Sequence, residues 1–213
     1  MADDPKPRRY DSPRRREQAA ATRGEILEAA LRLFEQRGYT ATSMAAVAAE
    51  AGVALKTVYL AFQTKRGLLL ALWHLVLRGD EEPVPVGERP WFREVIDEPD
   101  PEHLLRLNAR NSRIVKERAG ALLEILRSAA PADVELDALW MRIQTEFYEN
   151  QRSIVEQLQK NGALRASLEV DRGADILWTL NHPSVYGLLV GDRGWSPQQY
   201  EEWLGDAFCS QLL

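Results

Sequence analysis

The sequence is poor in the residues on which metal sites, disulfides and nucleophilic catalysis depend. Its 213 residues hold one cysteine, Cys209, and three histidines. A lone cysteine excludes an intrachain disulfide and suits a reducing, cytoplasmic setting. His74, His103 and His182 stand far apart, with no spacing that links two of them to one metal. Gly-x-Gly-x-x-Gly, the phosphate-binding loop, His-Glu-x-x-His and Gly-x-Ser-x-Gly are all absent, so no cofactor is implied and an enzyme is not expected. Long apolar runs are missing too. The longest uncharged stretch, Ile176 to Gly191, is too short for a membrane span and contains Asn181, His182 and Pro183. The opening MADDPKPRRY lacks the apolar segment of a signal peptide.

Charge is present but unevenly placed. Residues 1–80 carry 13 Lys and Arg against 9 Asp and Glu, whereas residues 81–213 carry 14 against 23. A basic first third on an acidic remainder points to the first third as the part that meets a polyanion. Residues 1–18 are polar and proline-containing, with Arg8, Arg9, Arg14, Arg15 and Arg16. Two readings stand level, a solubilising flexible tail and a basic arm that follows phosphates or enters a minor groove, and Ser12-Pro13 offers an early helix start as the alternative to a free arm.

Beyond the arm the pattern is helical throughout, with no strand-length alternation. Thr22-Arg-Gly-Glu25 has capping-box spacing, and Ile26, Ala30, Leu33 and Phe34 follow at helical intervals, giving a first helix over about 22–37. Further helices are expected near 43–50, 54–60 and 64–79. A proline-rich loop at 81–90 precedes helices marked by Leu104 to Val115, by Leu122 to Leu126, and by Leu136 to Leu158, the last stopped at Asn161-Gly162. Ile176, Leu177 and Leu180 mark another, which Pro183 should kink or end, and Ser196-Pro-Gln-Gln199 opens the last with a second capping box. The fold class is all-α with about nine helices. A helix-turn-helix is expected at 19–66, and a larger helical ligand-binding and dimerisation domain at 67–213.

AGVALKTVYLAF, residues 51–62, carries the chemistry. A helix-turn-helix needs a small residue where two helices cross, a glycine that can take positive φ, and apolar residues that grip the second helix. Ala48, Gly52, Val53 and Val58 meet those needs. With Val58 inward, Leu55, Lys56, Tyr59 and Leu60 project outward. Lys56 and Thr57 are expected to reach base edges or phosphates, Tyr59 to donate to a phosphate, and Leu55 and Leu60 to press on thymine methyls. Thr64-Lys65-Arg66 puts two cations in the first turn of a helix, where they oppose the macrodipole, an arrangement that a docked phosphate would favour.

Residues 22–70, above all TATSMAAVAAEAGVALKTVYLAFQTKRGLLLAL, resemble the DNA-binding domain of TetR/AcrR-type transcriptional regulators. The shared features are Thr42-Ser43, Ala51-Gly52-Val53, Thr57-Val58-Tyr59, Phe62 and Lys65. The resemblance implies a homodimer on the double-stranded DNA of a near-palindromic operator, released as a repressor by a small-molecule effector. It implies DNA contacts from Thr42, Ser43, Lys56, Thr57, Tyr59 and Lys65. Ala45, Ala54 and Leu60-Ala61 stand where the family often has Arg, Ser and His or Tyr, so fewer polar groups remain to grip DNA. Beyond residue 70 the likeness rests on length, helix order and DRGWSPQQYEEWL.

For the larger domain, Leu177, Leu180, Tyr200, Trp203, Leu204 and Phe208 form apolar stripes that the resemblance assigns to a two-fold interface. His103, Leu107, Asn111, Trp140, Phe147, Trp178 and His182 are the candidate lining of a pocket for a hydrophobic or aromatic ligand. The rival reading is a helical homodimeric interaction protein without specific DNA readout; it accounts for the stripes but not for Lys56, Tyr59 and Lys65 together.

Overall fold

A computed structural model describes residues 13–78 and 86–213. Among the described residues there are ten α-helices, nine of them seven residues or longer, and no strand. No single described helix is long and apolar enough to cross a membrane. The chain divides into two compact units, one ending at Ala71 and one beginning at Leu72.

In the first unit, α1 runs Pro13–Ala41, α2 Met44–Glu50, α3 Leu55–Phe62, and α4 Lys65–Arg78 leads out of it. Helix α1 starts nine residues before the expected capping box at Thr22, with Pro13 at its head, where a missing N–H costs nothing. Arg14, Arg15 and Arg16 therefore sit on a helix, not in a free arm; Arg8 and Arg9 lie outside the described residues. Gly38, at φ 79° and ψ 162°, breaks α1 near its end. Ser43 caps α2 by accepting from the Ala46 N–H at 3.1 Å. Gly52 takes φ 66°, the left-handed conformation expected of it, and α2 and α3 meet at 114°, within the range of helix-turn-helix pairs. Val47, Val58 and Phe62 are buried, as are Ile26, Ala30, Leu33 and Phe34 on α1. Each of the larger apolar side chains contributes about 1.5–3 kcal/mol on burial.

The α3–α4 corner is tight. Gln63 adopts φ 62°, and the Thr64 N–H donates to the Phe62 carbonyl at 2.6 Å. Thr64 caps α4 by accepting from the Gly67 N–H at 2.9 Å. A Cβ on Gly67 would stand 2.2 Å from that Phe62 carbonyl oxygen, so only glycine fits.

In the second unit, α5 is Pro90–Asp97, α6 Pro101–Ala129, α7 Val134–Lys160, α8 Val170–Leu180, α9 Pro183–Tyr186 and α10 Pro197–Leu212. Short 3-10 turns occupy Val86–Glu88 and Ala130–Ala132, and a π-turn follows α9. The two helices expected within 104–126 are one: α6 is continuous, because no glycine-with-turn or proline interrupts it before Pro131. Pro183 opens α9, and Asn161-Gly162 ends α7 with Gly162 at φ 67°, as expected. The Ser196–Gln199 capping box on α10 is present in both directions. Leu104, Leu105, Ile154, Leu158, Leu177, Tyr200, Leu204, Phe208 and Leu212 form the core, with α10 packed along α6 and α8 along α7.

This packing takes four of the six expected interface residues out of any dimer surface. Leu177, Tyr200, Leu204 and Phe208 are fully buried within one chain, so they cannot also face a second copy. Leu180 and Trp203 are half-buried and pack against the same core. The stripe on α10 is wide enough to serve the monomer, and α6 covers it.

Candidate functional site

In the first unit an exposed face is built on α3. Leu55, Tyr59 and Leu60 are 40%, 48% and 76% exposed, unusual for large apolar side chains, and Lys56 lies among them. Positions i, i+1, i+4 and i+5 form one stripe, opposite fully buried Val58. Thr57 is half-buried at its edge, and Ser43 is exposed at the start of α2. No Asp or Glu stands in the first turn of α2, α3 or α4, so nothing there repels a phosphate.

Two expected DNA contacts are structural instead. Thr42 is 1% exposed, and its hydroxyl is shared between the carbonyls of Gly38 at 2.9 Å and Leu33 at 3.2 Å, across the break in α1. Lys65 folds back to the end of α1. Its ammonium donates to the carbonyls of Tyr39, Thr42 and Thr40 at 2.8, 3.0 and 3.3 Å and lies 4.3 Å from the Tyr39 ring centroid. All three N–H groups have acceptors, at the negative end of a helix dipole. The cation that looked misplaced at the head of α4 is well placed at the tail of α1. Burial lowers the Lys65 pKa.

Lys65→Met is accordingly expected to cost about 1–3 kcal/mol of first-unit stability by stranding three carbonyls. It should leave unchanged the slope of log binding constant against log salt for DNA. Urea unfolding and a salt titration check the pair, and a slope reduced by about one would restore a phosphate contact.

The second unit contains a cavity of about 130 Å³ that opens to solvent. Trp73, Trp91, Phe92, Leu123, Ile143 and Phe147 supply apolar lining, and Asn111 holds the wall by donating to the Trp91 carbonyl at 3.0 Å. Of the seven residues expected to line a pocket, Asn111 and Phe147 do so; the other five do not. His103 is exposed at the head of α6 beside Glu98 at 3.1 Å. Leu107 is packed in the core. Trp140 is half-buried on α7 without reaching the cavity. Trp178 stacks edge-on with His182, which caps α9 through the Ser184 N–H. The His182 pKa is lowered by burial first and by the Lys116 charge second.

A buried polar cluster escaped the sequence reading. Asn108, Ser112 and Lys116 recur every fourth residue on α6 and meet Gln151 and Asn181 at the cavity wall. Asn108 Nδ2 donates to Gln151 Oε1 at 3.3 Å, and Asn181 Nδ2 to Ser112 Oγ at 2.8 Å. The Lys116 ammonium donates to Asn181 Oδ1. The signal was the i, i+4, i+8 spacing on an otherwise apolar helix face.

Residues 26–72 match the model of the tetR family of bacterial regulatory proteins. A transcriptional regulator named AcrR from Shigella flexneri is 31% identical over 202 aligned residues, 89% of this chain and 81% of that protein. This chain belongs to the TetR family. Family members are DNA-binding, ligand-responsive regulators rather than enzymes. A Saccharomonospora viridis regulator solved with choline superposes with a TM-score of 0.69 at 19% identity, covering 91% of this chain and 98% of that one. The SmeT–triclosan complex gives 0.68 at 19%, covering 91% and 92%. At those identities the two structures establish the shared fold.

Proposed function

We propose that this TetR-family chain is a cytoplasmic repressor that binds a near-palindromic operator as a homodimer and lets go when a small organic molecule enters the cavity of the second unit. The observation that carries DNA readout is the α3 face, where a lysine and a phenol stand among exposed leucines that no packing need explains. Ser43, Lys56 and Tyr59 supply phosphate contacts, Thr57 borders them, and Leu55 and Leu60 meet thymine methyls. The homodimer uses the outward faces of α8 and α10, where Ile176, Thr179, Leu180, Ala207 and Gln211 line a shallow groove left outside the core. The cavity supports the effector half of the reading, and the choline and triclosan complexes of like-folded proteins fit it.

The test is fluorescence anisotropy with the duplex flanking the protein's own gene, against a scrambled duplex, across a salt series. Preference for the native duplex by about a thousandfold is expected; equal binding to both would overturn sequence-specific readout. Tyr59→Phe should weaken all operator variants alike, by about 1 kcal/mol. Leu55→Ala should instead change the ranking among variants that differ in thymine content. A uniform loss for Leu55→Ala would count against base contact.

A further inference from the structure

We propose that the cavity of the second unit takes an organic acid, a small molecule with an apolar body and one carboxylate, whose negative charge docks on Lys116. The proposal deepens the effector reading above and rests on it only for the regulatory consequence.

Lys116 is 6% exposed and lines the cavity from α6. Its ammonium has three donors, and the one hydrogen bond it makes goes to a neutral amide oxygen, that of Asn181. Among the described residues no carboxylate pairs with it. A buried cation without a counterion is held at a cost of several kcal/mol. An anion placed beside it would remove that cost. Among the described residues Glu146 is the one acidic side chain in the cavity lining, and it is exposed. Asn181, Ser112 and Gln151 knit the wall around the ammonium and fix its position. Gln144, also in the lining, has its Oε1 buried with no partner, a second unmet polar atom that a hydroxyl or amide N–H on the ligand would satisfy. The rest of the lining is aromatic and aliphatic, which suits an apolar body.

The charge can be recognised by its titration. Burial lowers the Lys116 pKa to about 7. Around it stand Asn181 and His182 after α8 and Tyr200 on α10, with its ring centroid 5.7 Å from the ammonium; Tyr186 on α9 packs on Tyr200, and Glu146 on α7 shares the cavity lining. Burial raises the phenol pKa values of Tyr186 and Tyr200 and lowers the imidazole pKa of His182, so none of these three titrates just above neutrality. An anion that needs protonated Lys116 therefore loses affinity as pH rises through about 7.

Phenylacetate, phenylpropionate and octanoate, each against its primary amide, are the probes, titrated into the full chain with tryptophan fluorescence and calorimetry as readouts. At slightly acidic pH at least one acid is expected to bind about tenfold or more tighter than its amide. That preference should shrink by about tenfold per pH unit above about 7, while amide binding stays flat. Lys116→Met should abolish the preference and keep the amide's affinity. If that variant does not fold, the pH profile of the unaltered protein still decides. Equal affinity of acid and amide throughout the panel, a preference that ignores pH, or one that survives Lys116→Met overturns the proposal. Operator release is scored separately: an acid that binds through Lys116 yet leaves DNA bound upholds the anion site and refutes its use as an inducer's handle.

Discussion

Gly67→Ala is expected to unfold the first unit under conditions where the parent protein stays folded, with a loss of about 3 kcal/mol or more. The new methyl carbon would sit 2.2 Å from the Phe62 carbonyl oxygen. That oxygen belongs to the backbone, so no rotamer change can clear it. It also accepts the Thr64 N–H at 2.6 Å across the corner that joins α3 to α4. Making room means moving the end of α3, where Phe62 is buried beneath the Arg23 guanidinium. The readout is urea unfolding followed by circular dichroism, together with loss of operator binding. Gly24→Ala is the control, since a Cβ there meets nothing within 4 Å and the site lies inside α1. It should stabilise the protein by about 0.5–1 kcal/mol. Should both substitutions prove equally harmless, the close approach at Gly67 is not real.

Lys116→Met is expected to make the unliganded protein more stable at acidic and neutral pH, by about 1–3 kcal/mol. The sign follows from linkage. The folded-state pKa, about 7, lies below the ordinary value of 10.5. Between those values the unfolded chain holds the proton and the folded chain does not, so stability rises with pH across that window and is lowest below it. The whole excursion is on the order of 5 kcal/mol, as an upper limit. Methionine fills similar space without a charge to desolvate, at the cost of leaving Asn181 Oδ1 without that donor. The stability gap between the two proteins should be widest below about pH 7 and narrow as pH rises. Thermal unfolding of both across that range checks it. A variant less stable than its parent at every pH would falsify the claim that Lys116 is held at a cost.

The helix-turn-helix was legible because its determinants are local. Gly52 needs positive φ, Val58 lies six residues on, and the exposed stripe of α3 follows from helical period alone. The caps at Ser43 and Ser196 were equally local. What the sequence concealed was long-range. Lys65 looked like a phosphate clamp because its partners, the carbonyls at the end of α1, lie some 23 to 26 residues earlier. Thr42 looked available because its acceptors, the carbonyls of Leu33 and Gly38, lie on the preceding helix and sequence spacing does not show a hydroxyl turning back to them. An apolar stripe such as Tyr200, Leu204 and Phe208 reads the same whether α6 or a second chain will cover it. The cavity was only partly legible: Asn111 and Phe147 line it, but Trp140 and Trp178 carry the same kind of side chain without reaching it, and its most informative member is a lysine that composition assigns to the surface.

The two units differ in how far along the chain their partners lie, and this bears on the order in which they form during synthesis. Helices α1, α2 and α3 all precede Ala71, within the first compact unit. The core of the second unit waits for α10, whose Tyr200, Leu204, Phe208 and Leu212 complete a layer begun on α6 about a hundred residues earlier. A nascent chain can therefore display a finished α3 face while Leu104 and Leu105 still lack their cover. The interval between the two events is when the growing protein most needs a chaperone, and a stop codon anywhere within α10 would make that interval permanent.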